Sequence, residues 1–117
     1  MAERKRKRVP AFFHRSATGA EPVRMWLKRL SDVDRGRIGA DIATVEFGWP
    51  VGMPVCRPLG KGLYEVRSNL EGERIARVLF CFHGGKMILL HGFIKKTQKT
   101  PAGDLDLAMK RRKDVEK

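Results

Sequence analysis

Hydrophobic residues concentrate in three short runs between residues 62 and 94, and this stretch organises the chain. The runs cover residues 62–68, 74–82 and 86–94 and are rich in Ile, Val, Leu and Phe, as β-strands favour. Gly84 and Gly85 separate the last two runs, and a pair of glycines suits a tight hairpin because glycine adopts positive φ readily. The pattern predicts a three-stranded antiparallel meander at the centre of the fold.

Before the meander, the hydrophobic spacing changes to the helical period. A stripe at i, i+3, i+4 and i+7 predicts one amphipathic helix and is formed by Val23, Trp26, Leu27 and Leu30. Thr18 and Glu21 fit a capping box at its start. Ser31 or Asp32 can cap a second helix that runs to about Phe47. We expect the two helices to pack together on one face of the sheet.

The remaining segments complete the predicted order of elements. Residues 9–14 form a first strand, in which Pro10 indicates an edge position or a late start. Residues 49–61 contain three prolines and two glycines, which predicts a loop. Thr100 as N-cap and Pro101 at the first helical position predict a last helix, which either packs on the sheet or forms a mobile lid. The order β-α-α-β-β-β-α predicts an α+β domain with a mostly antiparallel sheet.

The register of the last hairpin decides which polar side chains meet. A two-residue loop pairs His83 with Lys86 and places His91 opposite Val78. A three-residue loop instead places His91 opposite Arg77. Because a shift of one residue exchanges the two faces of a strand, the sequence leaves both arrangements open.

Length and charge limit the class of protein. The 117 residues are enough for one domain, and we assign residues 9–117 to it after a basic tail of residues 1–8. The formal net charge of +12 indicates an anionic partner, with nucleic acid as the first candidate and an anionic membrane surface as the second. No hydrophobic run is long enough to span a membrane. We find no secretory signal and expect a cytoplasmic protein in which Cys56 and Cys81 are reduced.

The tail holds five consecutive basic residues at positions 4–8. Such a block repels itself and is commonly disordered. It acts either as a solvated tail or as an arm that binds phosphates. Trp26 likewise has two interpretations, a core residue or a platform for base stacking, and its place on the hydrophobic stripe favours the core.

The predicted strands contain three unusual polar residues, Arg67, Arg77 and His91. Together they indicate metal-free RNA cleavage. Acidic residues are too scattered there to hold catalytic cations. In such cleavage the 2′-OH attacks the adjacent phosphate, which requires a general base, a general acid and stabilisation of the phosphorane. Arg67 and Arg77 can clamp the phosphate, and His91 is the acid/base candidate. Lys95 and Lys96 add charge, or one of them serves as the base.

Each of these residues also has a purely structural interpretation. A histidine in a strand is more often a satisfied core or edge residue. Arg67 has Glu65 and Glu73 as possible ion-pair partners, whereas a buried Arg77 must find an acceptor among largely apolar neighbours. His14 and His83 are expected at the surface. A further set of residues is predicted to contact RNA around the site: Arg57, Lys61, Tyr64, Arg74 and Lys99. For Arg57 and Lys61 the alternative interpretation is a solvated charge without a binding role.

The segments GLYEVRS, RIARVLFCF and HGFIKKTQKTP resemble the RelE/HigB-type ribonuclease toxins, in their phage-derived HigB-like branch. The similarity runs from about residue 11 to 113. It implies a small RelE-like α+β fold and a type II toxin that cleaves mRNA on the ribosome without a cofactor. It also implies a helix-turn-helix antitoxin of the HigA kind as a partner.

The resemblance carries over to individual positions. The strand arginine of the family falls on Arg77, and a basic position in the preceding strand falls on Arg67. The basic pair after the last strand falls on Lys95 and Lys96. The C-terminal tyrosine of the RelE prototype has no counterpart here, because Thr100 and Pro101 occupy its neighbourhood. That departure moves the acid/base role to His91 or a lysine.

Two other functions remain open from the sequence. The first is a non-catalytic protein of the same fold that binds nucleic acid. The second is a structural interaction module, which would leave the charge of +12 without a purpose.

Overall fold

The structure is a computed structural model that describes residues 6–116. Its helices and strands follow one another in this order: β1 (Ala11–Phe13), α1 (Pro22–Lys28), α2 (Asp32–Gly48), β2 (Cys56–Gly60), β3 (Leu63–Leu70), β4 (Arg74–His83), β5 (Lys86–Lys95) and α3 (Ala102–Val115). Short turns connect α1 to α2 and β3 to β4. Within this range the five strands form one sheet in the order β1-β5-β4-β3-β2, and only the pair β1–β5 is parallel. The prediction of an α+β domain with a mostly antiparallel sheet is confirmed.

Two hydrophobic layers sandwich the sheet. Helices α1 and α2 cover one face, where Ile38, Val45 and Phe80 are fully buried. Helix α3 covers the other face, where Leu79 and Leu90 are buried against Ala108. The last helix therefore packs on the sheet, which was one of its two predicted placements. We call the two sides the α1/α2 face and the α3 face.

The segment predicted as a loop at residues 49–61 contains a strand, so that prediction is wrong. Strand β2 pairs with β3 and places Arg57 opposite Glu65. Pro58 lies within β2, and a proline is tolerated there because β2 is the edge of the sheet and its missing N–H removes no bond between strands. Prolines and glycines in this segment concealed the strand in the sequence.

Two predicted helix caps are also wrong. The N-cap of α1 is Glu21 rather than Thr18, and its side chain makes no capping hydrogen bond. The Thr18 hydroxyl is hydrogen-bonded to the Ser16 hydroxyl instead. The N-cap of α3 is Pro101, since the Thr100 hydroxyl is directed into the sheet. The predicted cap at Ser31 is confirmed, because its Oγ accepts a hydrogen bond from Asp34 N.

The hairpin between β4 and β5 has a two-residue loop, one of the two arrangements left open by the sequence, and pairs His83 with Lys86. A β-bulge then intervenes: Phe80 pairs with Leu89, and Leu79 pairs with His91. The extra residue is Leu90, and beyond it Arg77 lies opposite Phe93. Neither predicted partner of His91 is correct, because the bulge shifts the register by one residue just before it. The bulge places His91 on the α3 face.

Gly92 faces α1 and allows that helix to approach the sheet closely. A Cβ atom at Gly92 would lie 2.4 Å from Cε3 of Trp26. Gly92 thus marks a close approach between the backbone and α1. Trp26 packs against the core as predicted and remains partly exposed. His14, expected at the surface, is instead buried at the end of β1, with 5% of its surface exposed.

Both cysteines are free, as expected for reduced thiols, and both are buried. Burial raises the pKa of the Cys56 thiol to about 11. Of the basic tail, residues 1–5 lie outside the described part, so the proposed arm is described only at its end. There, Lys7 Nζ lies 2.9 Å from Glu46 Oε2, and Arg8 donates a hydrogen bond to the carbonyl of Trp49.

Candidate functional site

Three adjacent strands each place one arginine on the α3 face. Arg57 of β2 lies opposite Glu65 of β3, and Arg67 of β3 lies opposite Arg77 of β4. Side chains two apart on one strand share a face, so Glu65 and Arg67 point the same way. We call Arg57, Arg67 and Arg77 the arginine cluster.

Glu65 is completely buried at the centre of the arginine cluster. Its Oε1 lies 2.7 Å from Nε of Arg57 and 3.8 Å from Nε of Arg67. Its Oε2 lies 3.9 Å from Nε of Arg77 and accepts a hydrogen bond of 2.8 Å from Oγ1 of Thr100. One carboxylate therefore faces three guanidinium groups, which leaves an excess of two positive charges.

Arg77 is the most constrained member of the cluster, since none of its surface is exposed. Burial lowers its pKa; Glu65 opposes that effect, and the positive charges of Arg67 and Arg57 add to it. Its Nε and Nη1 have no hydrogen-bond acceptor among residues 6–116. Unpaired buried donors are costly, so the cluster has unused capacity to bind an anion.

A short segment before α3 covers the cluster. We call residues 97–100 the strap. Arg77 donates to the Thr97 carbonyl, and Arg67 donates to Oε1 of Gln98 at 2.8 Å. Arg57 donates to Thr100 Oγ1 at 3.4 Å and lies 3.5 Å from the Gln98 carbonyl. Each arginine of the cluster thus donates to an oxygen atom of the strap.

Phe93 connects the cluster to the next group of polar residues. Its ring centroid lies 5.8 Å from the guanidinium carbon of Arg77 and 5.8 Å from Nζ of Lys95. The His91 ring stacks on it with centroids 5.5 Å apart. Nε2 of His91 lies 2.7 Å from Oδ1 of Asp104, whose other oxygen accepts a bond of 3.3 Å from Lys95. His91, Lys95 and the cluster therefore share one face.

Arg111 of α3 lies on the other side of His91. Its Nη1 donates to the Leu90 carbonyl at 2.8 Å and lies 3.5 Å from Nδ1 of His91. Burial lowers the pKa of Arg111. An ionised Asp104 accepts from Nε2–H, so a neutral His91 carries its lone pair on Nδ1, toward Arg111.

Four residues around the site were not recognised from the sequence as parts of it: Gln98, Thr100, Asp104 and Arg111. Glu65 was predicted only as a possible ion-pair partner of Arg67, and that contact is present at 3.8 Å. Asp104 and Arg111 belong to α3, which the sequence predicts only as a helix. Their distance to His91 depends on how α3 packs, and no sequence pattern encodes that distance.

The other predicted site residues lie away from the arginine cluster to different degrees. Arg74 forms a two-pronged ion pair with Asp34 of α2, at 2.8 and 3.1 Å. Tyr64 packs against Trp49, Phe80 and Phe82. Both side chains thus lie on the α1/α2 face.

The three remaining lysines are exposed. Lys99 belongs to the strap, and Lys96 lines a depression of about 410 Å³ beside it. Lys61 lies in the β2–β3 turn, next to Gly62, which contacts Arg112 near the end of α3. At about 1.5 Å per helical residue, that end is roughly 15 Å from the strap. Lys61 is therefore remote from the cluster.

The fold and the site together define a small, basic protein of the RelE-like α+β type, with an arginine cluster on one face of its sheet. Residues 25–113 match the family described as phage derived protein Gp49-like (DUF891). Since this match covers most of the chain, the protein belongs to the Gp49-like family. This is a toxin-like family related to RelE and HigB.

The comparison with curated proteins found no match. No helix in the described part of the chain is long and apolar enough to cross a membrane. Among residues 6–116, no group of three or more His, Cys, Asp or Glu side chains is arranged to hold a metal ion.

Proposed function

We propose that this protein is a type II toxin that cleaves mRNA on the ribosome. The observation that carries the proposal is the arginine cluster on the same sheet face as His91 and Lys95. We further propose that it acts in the cytoplasm and is neutralised by a helix-turn-helix antitoxin of the HigA kind. The net charge of +12 favours docking on ribosomal RNA.

The arginine cluster would bind the scissile phosphate. Arg67 and Arg77 present planar groups that match two phosphate oxygens, and the unpaired Nε and Nη1 of Arg77 would gain acceptors. A phosphate with one or two negative charges would also offset the excess positive charge around Glu65. Stabilising charge that develops on the phosphorane is commonly the largest single catalytic contribution.

Proton transfer would fall to His91 and Lys95. Nδ1 of His91 would accept the 2′-OH proton, and Asp104 would stabilise the imidazolium that results. The 2′-oxygen would then attack phosphorus as the bond to the 5′-oxygen breaks. Lys95, which shares Asp104 with His91, would protonate the leaving oxygen. The products would be a 2′,3′-cyclic phosphate and a free 5′-hydroxyl.

Phosphate binding requires the strap to move. The strap oxygens at Thr97, Gln98 and Thr100 use the donors that a phosphate would need. A phosphate can replace these neutral oxygens, because a guanidinium attracts a full negative charge more strongly than the dipole of a neutral oxygen. The described conformation is thus the closed form of the proposed site.

The test is induction in cells of the wild type, His91→Ala and Arg77→Ala, with transcript cleavage read by primer extension. Arg77→Lys accompanies them, because it keeps the buried charge but loses the forked geometry. Arg37→Ala, which removes an exposed arginine of α2, is the control for loss of one positive charge. We expect growth arrest and cleavage with the wild type and Arg37→Ala only. Cleavage that survives in folded His91→Ala and Arg77→Lys would refute the mechanism.

A non-catalytic protein that binds nucleic acid is the alternative function. The full burial of Arg77 under the strap favours it, because a permanently closed strap would prevent cleavage. In that case neither the wild type nor any variant cleaves transcripts. Loss of one arginine of the cluster then only weakens RNA binding, by a modest and salt-dependent factor.

A further inference from the structure

A groove lies along the part of β5 that no other strand covers. Strand β1 ends at Phe13 and pairs only with Met87–Leu89 of β5, so among the described residues the outer edge of β5 has no strand neighbour from His91 onward. Helix α1 forms one wall and α3 forms the other. The groove has a volume of about 310 Å³, and we call it the β5 groove.

The walls of the β5 groove are positively charged. Arg29 follows the end of α1, and Arg111 projects from α3. Arg29 is exposed, and its side chain makes no hydrogen bond or ion pair with any residue of the described range 6–116. Within that range, no carboxylate lines the groove. Two guanidinium groups without a counter-charge face the same space, so an anionic ligand is favoured.

Part of the lining of the β5 groove is aromatic. Gly92 contributes no side chain, and the ring of Trp26 packs against it. Met25 adds an apolar surface beside Trp26, and His91 also lines the groove. A nucleotide suits this lining because it combines a phosphate with a flat, partly apolar base.

His91 joins the β5 groove to the arginine cluster. It lines the groove, and it stacks on Phe93, which lies opposite Arg77. Residues two apart on a strand are separated by about 6.6 Å, and paired strands by about 5 Å. The groove therefore begins roughly 8 Å from Arg77, within the reach of the nucleotide next to one held at the cluster.

The geometry points to a second RNA subsite: the β5 groove binds the nucleotide adjacent to the scissile phosphate, with its phosphate on Arg29 and Arg111 and its base against Trp26. This inference rests on the proposed function for the identity of the ligand as RNA. It adds a binding role for α1, which contributes nothing to the arginine cluster.

The experiment measures binding of a 2′-O-methyl RNA hexamer, which has no free 2′-OH and cannot be cleaved. The chain has two tryptophans, so Trp49→Phe leaves Trp26 as the only one. A base that stacks on Trp26 quenches its fluorescence. We compare Arg29→Ala with Arg24→Ala, since Arg24 is on the same helix but forms an ion pair with Glu21. Circular dichroism checks that each variant is folded.

We expect RNA to quench Trp26, and Arg29→Ala to weaken binding roughly three- to tenfold, as removal of one charge-assisted hydrogen bond does. The slope of log K against log salt should become shallower by about 0.7, because the variant neutralises one phosphate fewer. Arg24→Ala should change neither quantity. Equally weakened binding in both variants, or binding without quenching, would overturn the subsite. Wild type that binds in this manner but cleaves no transcript would support the subsite and refute the proposed nuclease activity.

Discussion

Thr100 donates a hydrogen bond of 2.8 Å to Glu65, and both residues are buried. The hydroxyl comes from the strap and the carboxylate from the centre of the sheet. This bond fastens the strap over the arginine cluster and satisfies one oxygen of a buried charge. It links the closed form of the site to the stability of the whole domain.

Thr100→Val should therefore destabilise the protein. The substitution keeps the shape of the side chain but removes the donor to a buried carboxylate, which typically costs about 1–3 kcal/mol. Thr100→Ser, which keeps the hydroxyl, is the matched control and should cost much less. Urea denaturation followed by circular dichroism measures both values. Equal stability of the two variants would show that the hydroxyl contributes nothing.

Gln98→Met should loosen the strap. Methionine has nearly the same length but cannot accept the hydrogen bond from Arg67. We expect faster hydrogen exchange of the amides in residues 97–100 and binding of non-cleavable RNA that is roughly fivefold tighter, because a hydrogen bond of about 1 kcal/mol no longer holds the closed form. Weaker RNA binding together with faster exchange would instead show that Gln98 helps to bind RNA.

His14 should make stability depend on pH. Its pKa is lowered, first by burial and then by the charge of Arg111, while Asp114 opposes these effects. The unfolded chain then binds a proton at a higher pH than the folded protein does. Stability from the neutral imidazole is complete above about pH 6.5 and declines as the pH falls toward the lower pKa of the folded state.

Thermal unfolding between pH 7.5 and 5 checks this sign. The His14→Gln variant should lose part of the dependence. His83→Gln is the control, because His83 is exposed in the β4–β5 hairpin. An identical pH dependence in all three proteins would exclude His14 as the source.

Gly92→Ala should destabilise the fold and distort the β5 groove. The new methyl group would overlap the ring of Trp26, with Cε3 only 2.4 Å away, and overpacking of this kind commonly costs about 1–3 kcal/mol. Gly103→Ala is the control, since its Cβ meets nothing within 4 Å inside α3. Because alanine favours helix over glycine, it should stabilise the protein by up to about 1 kcal/mol. A destabilised Gly103→Ala would show that this reasoning fails.

Much of the fold follows from local signals in the sequence. Each of these signals involves only neighbouring residues: the hydrophobic runs of β3, β4 and β5, the stripe of α1 and the cap at Ser31. Strand β2 escaped notice because its prolines and glycines resemble a loop, and only its position at the sheet edge makes Pro58 acceptable.

The candidate site was less accessible from the sequence. Arg67, Arg77 and His91 could be singled out because polar residues are unusual in buried strands. Their partners Gln98, Asp104 and Arg111 belong to segments that meet the sheet only in three dimensions. Arg57 and Arg77 are 20 residues apart in the sequence, yet both face the carboxylate of Glu65. Predicting that arrangement would require the register of three strands.

The β-bulge at Leu90 has a consequence for any attempt to redesign this protein. A regular ladder of the same sequence would place His91, Phe93 and Lys95 on the α1/α2 face, whose core contains Ile38, Val45 and Phe80. Gly92 would then lie on the α3 face rather than against Trp26. One extra residue in β5 thus decides whether His91 and Lys95 share a face with the arginine cluster. A variant with a regular ladder would keep its composition and yet separate them.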